Sequence, residues 1–262
     1  ENLPKGTYFV PLNQPQSRLA EALLEPITIA RDTFFYDVSA WSLPIASGLN
    51  AWVSLSPLPP NATRISEPLK PSGGIIGDKS PFAYLIPWER NSAVQLTWPL
   101  LEKGYSLSVA RRSFETGGRY FGAGTIVALV GVNGDTLSRD IGKYAEQFGV
   151  DVYATPTGYT DNGISLGSNY LSSLKKAEIA IAVGSPVRSN AYGELWFLFE
   201  QELGIPFSGI RATDLGDLDL SKFDVIILPN ASNYQSAFDS AKTDRLKRWV
   251  QSGGILIGIE GG

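Results

Sequence analysis

The segment Gly258-Ile259-Glu260-Gly261-Gly262 has the form G-x-E-x-G and closes an apolar run. Glycines around one functional side chain permit a strained strand-to-helix turn that pushes that side chain into the crevice above a sheet. With Ser or Cys at the centre such a turn presents a nucleophile; here it presents a carboxylate. In open parallel sheets, ligands sit beyond the carboxyl ends of the strands. Three other predicted strand ends carry polar residues: Gly184-Ser185-Pro186-Val187-Arg188, Arg211-Ala212-Thr213-Asp214 and Pro229-Asn230-Ala231-Ser232. Gly184, Ser185, Arg188, Asn230 and Glu260 therefore form the candidate ligand-binding crevice. Glu194, near the start of a following helix, is a second carboxylate candidate. If it meets Glu260, like-charge proximity raises one pKa and creates an acid/base or cation site. Arg188 and Arg211 could instead neutralise the pair. Glu260 also has a plainer reading, as a relic of an elbow or a carboxylate held by backbone N–H groups at a helix start. Trp88, beside Pro87 and Glu89-Arg90 at a strand end, is the best candidate for a ligand platform; the other tryptophans read mostly as core.

The rest of the composition narrows the chemistry. The 262 residues include no Cys, His or Met, with 22 Lys+Arg against 26 Asp+Glu and a net charge of −4. Such a chain cannot supply a Ser-His-Asp triad, a Cys nucleophile, a haem ligand or a common zinc site, so no metal ligand is expected in it. No basic field draws nucleic acid. No apolar run approaches the length of a membrane span. Hydrophobic residues at 43% and charged residues at 18% describe a globular α/β-like chain. The glycines between Gly117 and Gly124 precede a strand and lack a following Lys-Ser/Thr, so they are not a phosphate loop.

The elements that must position these residues follow from periodicity. Residues 1–80 are irregular and Pro-rich: Thr7–Val10 reads as a short strand, Gln16–Glu25 as a helix, and Ser39–Leu43 as the opening of another, with Pro44 in its first turn. Ser56–Lys79 reads as a linker or long surface loop. From Pro81 strands and helices alternate. Strands are expected at Phe82–Ile86, Tyr105–Ala110, Gly124–Val130, Val150–Ala154, Glu178–Val183, Phe207–Ala212, Phe223–Leu228 and Ile255–Ile259. Helices are expected at Ser92–Lys103, Leu137–Phe148, Asn190–Leu203 and Ala241–Ser252, closed by Gly104, Gly149, Gly204 and Gly253-Gly254. The unalternated Val/Ile/Leu runs predict strands buried on both faces in one doubly wound, mostly parallel α/β sheet over 81–262, in two βαβ halves, 81–175 and 176–262.

Phe223–Pro229, Arg245–Gly254 and Ile255–Gly262 together resemble the class I glutamine amidotransferase-like fold, a flavodoxin-like arrangement. In that family a Cys occupies the elbow and a glycine loop after the earlier strand helps form the oxyanion hole. Here Glu260 stands in place of the Cys and Pro229-Asn230-Ala231 in place of the glycine loop, so amidotransferase activity is not implied. A wider similarity covers Gly6–Pro15, Ala22–Pro26, Tyr36–Pro44, Tyr192–Trp196 and Asp219–Pro229, which look like the region after the catalytic domain of large bacterial zinc carboxypeptidases. The resemblance implies an upstream catalytic domain of the same protein as partner, zinc in that domain and none in this chain, and an exported bacterial parent active in proteolysis. The region itself is expected to be a non-catalytic accessory that stabilises the parent or meets a peptide or small molecule. A small-molecule-binding α/β module and an enzyme using Glu260 are the alternatives.

Overall fold

A computed structural model of the chain describes residues 7–25, 42–57, 59–67, 69, 71–77 and 82–262. The chain divides into two compact units, Glu1–Pro68 and Leu69–Gly262. The first contains helices α1 (Ser17–Leu24) and α2 (Leu43–Ala46). Pro44 occupies the first turn of α2, where its missing N–H would have had no intrahelical partner. Thr7–Val10 forms no strand; a four-residue apolar run cannot separate strand from coil. The expected helix opening at 39–41 and the stretch 36–41 lie outside the described residues. Trp52 is exposed rather than core.

The second unit opens with β1 (Gly74–Ile76), β2 (Ala83–Ile86), α3 (Ser92–Glu102), β3 (Ser108–Ala110), β4 (Phe114–Thr116), β5 (Arg119–Phe121) and β6 (Ile126–Leu129). It continues with α4 (Val130–Asn133), α5 (Thr136–Phe148), β7 (Asp151–Thr155), β8 (Asn162–Gly163) and β9 (Leu171–Ser173). It closes with β10 (Ile179–Val183), α6 (Ser189–Trp196), β11 (Ser208–Arg211), β12 (Val225–Leu228), α7 (Ser240–Gln251) and β13 (Ile255–Gly258). The unit is α/β. β1 falls inside the stretch expected to be a linker and pairs in parallel with β7.

The expectation of one mostly parallel sheet needs correction. Strands divide into a six-stranded sheet (β1-β7-β2-β6-β3-β9), a four-stranded sheet (β11-β10-β12-β13) and a three-stranded sheet (β5-β4-β8). The four-stranded sheet is parallel throughout. In the six-stranded sheet only β1 and β7 run parallel; β2, β3, β6 and β9 meet their neighbours antiparallel. The misleading signal was burial. Tyr84 and Ile86 of β2 enter a core with Leu96 and Leu100 of α3 and Leu137 and Ile141 of α5. Ala83 and Leu85, on the other face, enter a core with Phe114, Phe121 and Leu166. A strand covered on both faces needs no polar alternation, whatever its neighbours' direction.

The parallel sheet has helices on both sides. Ala180, Ala182, Ile226 and Leu228 pack with Leu246 and Trp249 of α7. Ile179, Ile181 and Ile227 pack with Leu195 of α6 and Trp98 of α3. The single helix expected over 190–203 is α-helical only to Trp196 and continues as a π-helix over Phe197–Leu203, ended by Gly204 at φ 66°.

Candidate functional site

The carboxyl ends of β10, β12 and β13 lie side by side because these strands are parallel neighbours. β13 leads into Ile259, whose N–H donates to the Leu228 carbonyl at 3.0 Å. The chain then turns: the Gly262 N–H donates to the Ile259 carbonyl at 2.9 Å. Glu260 sits in this turn at φ 53°, and is alone among the described non-glycine residues in having positive φ. That conformation costs an L-residue roughly 1–2 kcal/mol. The surrounding glycines are needed sterically. A Cβ at Gly258 would lie 2.6 Å from the Gly262 carbonyl oxygen, and one at Gly261 would lie 3.1 Å from both the Ala231 carbonyl oxygen and Asn230 Oδ1. The elbow thus packs down onto the loop that follows β12.

That loop is itself pinned. Tyr234 donates its hydroxyl to the Pro229 carbonyl at 2.8 Å, and burial pushes its phenol up to about 12. The Arg188 N–H donates to the Asn230 carbonyl at 3.0 Å, and the Ser232 N–H to the Pro186 carbonyl at 3.2 Å. These bonds flank a single antiparallel bridge between Val187 and Ala231. The β10 loop closes through the Val187 N–H on the Gly184 carbonyl at 2.8 Å. At the centre, Asn230 Nδ2 donates to Glu260 Oε2.

The five crevice residues therefore share one end of one parallel sheet, through the Glu260–Asn230 side-chain bond and the Asn230–Arg188 backbone bond. Ser185 is exposed on the same rim and makes no hydrogen bond to Glu260 among the described residues. Glu194 lies exposed on α6, with no hydrogen bond or ion pair to Glu260 among the described residues. Arg211 does not neutralise Glu260; it pairs with Asp214 at 2.7 Å. The donor at Glu260 is an asparagine side chain rather than the backbone N–H groups expected at a helix start. Glu260 is exposed, so its remaining lone pairs can accept from a ligand or bind a cation.

After β3, Arg112 stacks on the Tyr170 ring at 4.0 Å and Arg111 donates to the Asn169 carbonyl at 3.2 Å. Trp98 and Trp249 are buried as expected, whereas Trp196 is exposed rather than core; Trp88, the platform candidate, is exposed at the end of β2. The β4–β5 hairpin was overlooked. Its turn, Gly117-Gly118, has φ of 60° and 71°, the two-residue geometry that flanking Phe-Glu-Thr and Arg-Tyr-Phe could have announced. A polar cluster away from the crevice was also missed. Asp140, buried on α5, accepts from Lys103 Nζ at 2.7 Å, the Tyr105 hydroxyl at 2.9 Å and Arg139 Nε at 3.2 Å. The Lys103 bond foremost lowers its carboxyl to about 2. This cluster ties the end of α3 to α5 and serves stability.

No protein-family model matches the chain, and no curated protein matches it.

Proposed function

We propose that this chain is a non-catalytic, amidotransferase-like accessory region of a protein resembling exported zinc carboxypeptidases, with a doubly wound, flavodoxin-like second half. The observation that carries the reading is the elbow. Glu260 occupies the strained turn after β13 at φ 53°, held by Asn230, in a chain without a Cys or His to complete the chemistry such turns serve. The stretches Gly6–Pro15, Tyr36–Pro44 and Asp219–Pro229 support a parent of the carboxypeptidase type. Zinc belongs to the parent's upstream domain. The donors of this chain do not fit it: His and Cys are absent from the sequence, and among the described residues no three Asp, Glu, His or Cys side chains gather. Within the parent, the crevice at Asn230 and Glu260 offers an exposed carboxylate to a peptide amine or a donor-rich small molecule.

A second reading, an enzyme using Glu260 as nucleophile or base, rests on the exposure of that carboxylate at a strained position. Assays of the purified chain for glutamine hydrolysis and peptide cleavage separate the two. The accessory reading predicts neither activity, and no stoichiometric zinc after dialysis. Chelator-sensitive peptidase activity overturns it, and turnover abolished by Glu260→Gln establishes the second reading in its place.

A further inference from the structure

The chain contains two Asn-Gly pairs, Asn133-Gly134 and Asn162-Gly163. Such a pair can close on itself. The glycine nitrogen attacks the Asn side-chain carbonyl carbon, and a glycine has no Cβ to obstruct the approach. Whether the ring closes in a folded protein depends on how the side chain is held. The two pairs are held in opposite ways.

Asn133 ends α4 and is locked. Its Oδ1 accepts from the Ser106 N–H at 2.6 Å, and its Nδ2 donates to the Ser106 and Leu129 carbonyls, both at 2.9 Å. Swinging its Cγ onto the Gly134 nitrogen means releasing all three bonds. Asn162, exposed in β8, has no such ties. Its Oδ1 accepts from the adjacent Gly163 N–H at 2.8 Å, so the side-chain carbonyl already lies over the attacking nitrogen. Its Nδ2, the leaving group, has no acceptor among the described residues.

The fold also fixes the glycine. Gly163 has φ 83°, and a Cβ there would lie 2.5 Å from the Ser113 carbonyl oxygen and 2.8 Å from Phe114 Cα. A side chain at that position is excluded both by conformation and by contact, so the labile pair is built into the strand. β8 is short: Asn162 stands opposite Glu115 and Gly163 opposite Phe114. Ile164, directly after it, is buried with Phe114 and Phe121.

We propose that Asn162 is a self-modification site whose conversion loosens β8. The Gly163 N–Cγ bond forms, the Cγ–Nδ2 bond breaks, and Nδ2 leaves as ammonia with the Gly163 proton. Solvent water then opens the cyclic imide at either carbonyl, giving aspartate or isoaspartate. Aspartate places a carboxylate directly opposite Glu115, where like charges repel. Isoaspartate runs the chain through the former side chain and displaces β8 from its register on β4.

The test ages the folded full chain in mildly alkaline buffer, with parallel samples in urea. Peptide mass spectrometry locates each exchange of NH for O, and enzymatic methylation counts isoaspartate. In the folded chain Asn162 is expected to convert at least about tenfold faster than Asn133, whose three bonds must open first. In urea the two should convert at similar rates. The aged chain should unfold at lower urea concentration than the fresh chain, and Asn162→Asp should be shifted the same way from the start. Asn162→Gln, which must close a larger ring, should keep its midpoint through the same period. Conversion of Asn133 as fast as Asn162 in the folded chain overturns the proposal. So does a folded-chain Asn162 that stays intact while it converts in urea, or a converted Asn162 with an unchanged urea midpoint.

Discussion

The six-stranded and four-stranded sheets of the second unit share strand composition but are finished differently. In the first, β2 and β6 are central, and both faces are closed, by α3 and α5 on one side and by the small antiparallel sheet with Leu166 on the other. In the second, β10 and β12 are equally well covered, but the edge strand β13 is not. Ile255, Leu256 and Ile257 are 55%, 39% and 41% exposed. The candidate crevice is built at that less covered edge, whereas Asp140, under the closed sheet, is taken up by Lys103, Tyr105 and Arg139. Polar loops that could meet a ligand occur where the strands are parallel, because parallel order brings successive carboxyl ends to one side.

Cavity-forming substitutions sharpen this contrast most. Leu96→Ala, under the six-stranded sheet, should cost about 2–5 kcal/mol, as complete burial of that side chain implies. Leu256→Ala on β13 should cost under about 1 kcal/mol. Urea unfolding measures both, and equal losses would dissolve the distinction between a closed and an open sheet. Next in size, Gly258→Ala forces a Cβ to within 2.6 Å of the Gly262 carbonyl oxygen and should cost about 1–3 kcal/mol, as overpacking does. Gly134→Ala, in open space, tests positive φ alone, with φ 74°.

A pH series separates the sheets by their charges. Asp140 is held at about 2, against an ordinary 3.8, chiefly by its Lys103 bond. A lowered carboxyl stabilises the fold fully above its unfolded pKa, and that contribution disappears as pH falls from about 4 through 2. Asp140→Asn should therefore cost about 1–3 kcal/mol at pH 7. It should cost much less near pH 2, measured as the shift in urea midpoint. A loss independent of pH would mean that the cluster is packing rather than charge. Glu260→Gln should change stability by less than about 1 kcal/mol, because the group is exposed and an amide oxygen can still accept from Asn230.

Much of this architecture is written locally. Gly104, Gly149 and Gly204 end their helices at positive φ as their positions suggested, and the elbow at Gly258–Gly262 was visible as two glycines bracketing one acid. Strand direction was not legible, since burial on both faces erases the polar alternation that would have distinguished the antiparallel β2 and β6. The π-helical turn at Phe197–Leu203 carries no proline or glycine to announce it. At the crevice, strand ends placed Asn230 near Glu260. That Asn230 rather than a backbone amide meets the carboxylate depends on how Tyr234 and Arg188 pin the loop, which are tertiary contacts. Glu194 stands near a helix start, and helix position does not aim a side chain across a crevice.

The central claim is that Glu260 is a held carboxylate at a degenerate elbow, coupled to Asn230. A double-mutant cycle of Asn230→Ala and Glu260→Ala, read by urea unfolding at pH 7, measures that coupling directly. The account predicts an interaction of about 1 kcal/mol, the worth of a hydrogen bond to a charged group discounted for exposure. Losses that add to within about 0.3 kcal/mol would show two independent surface residues, and would contradict the claim.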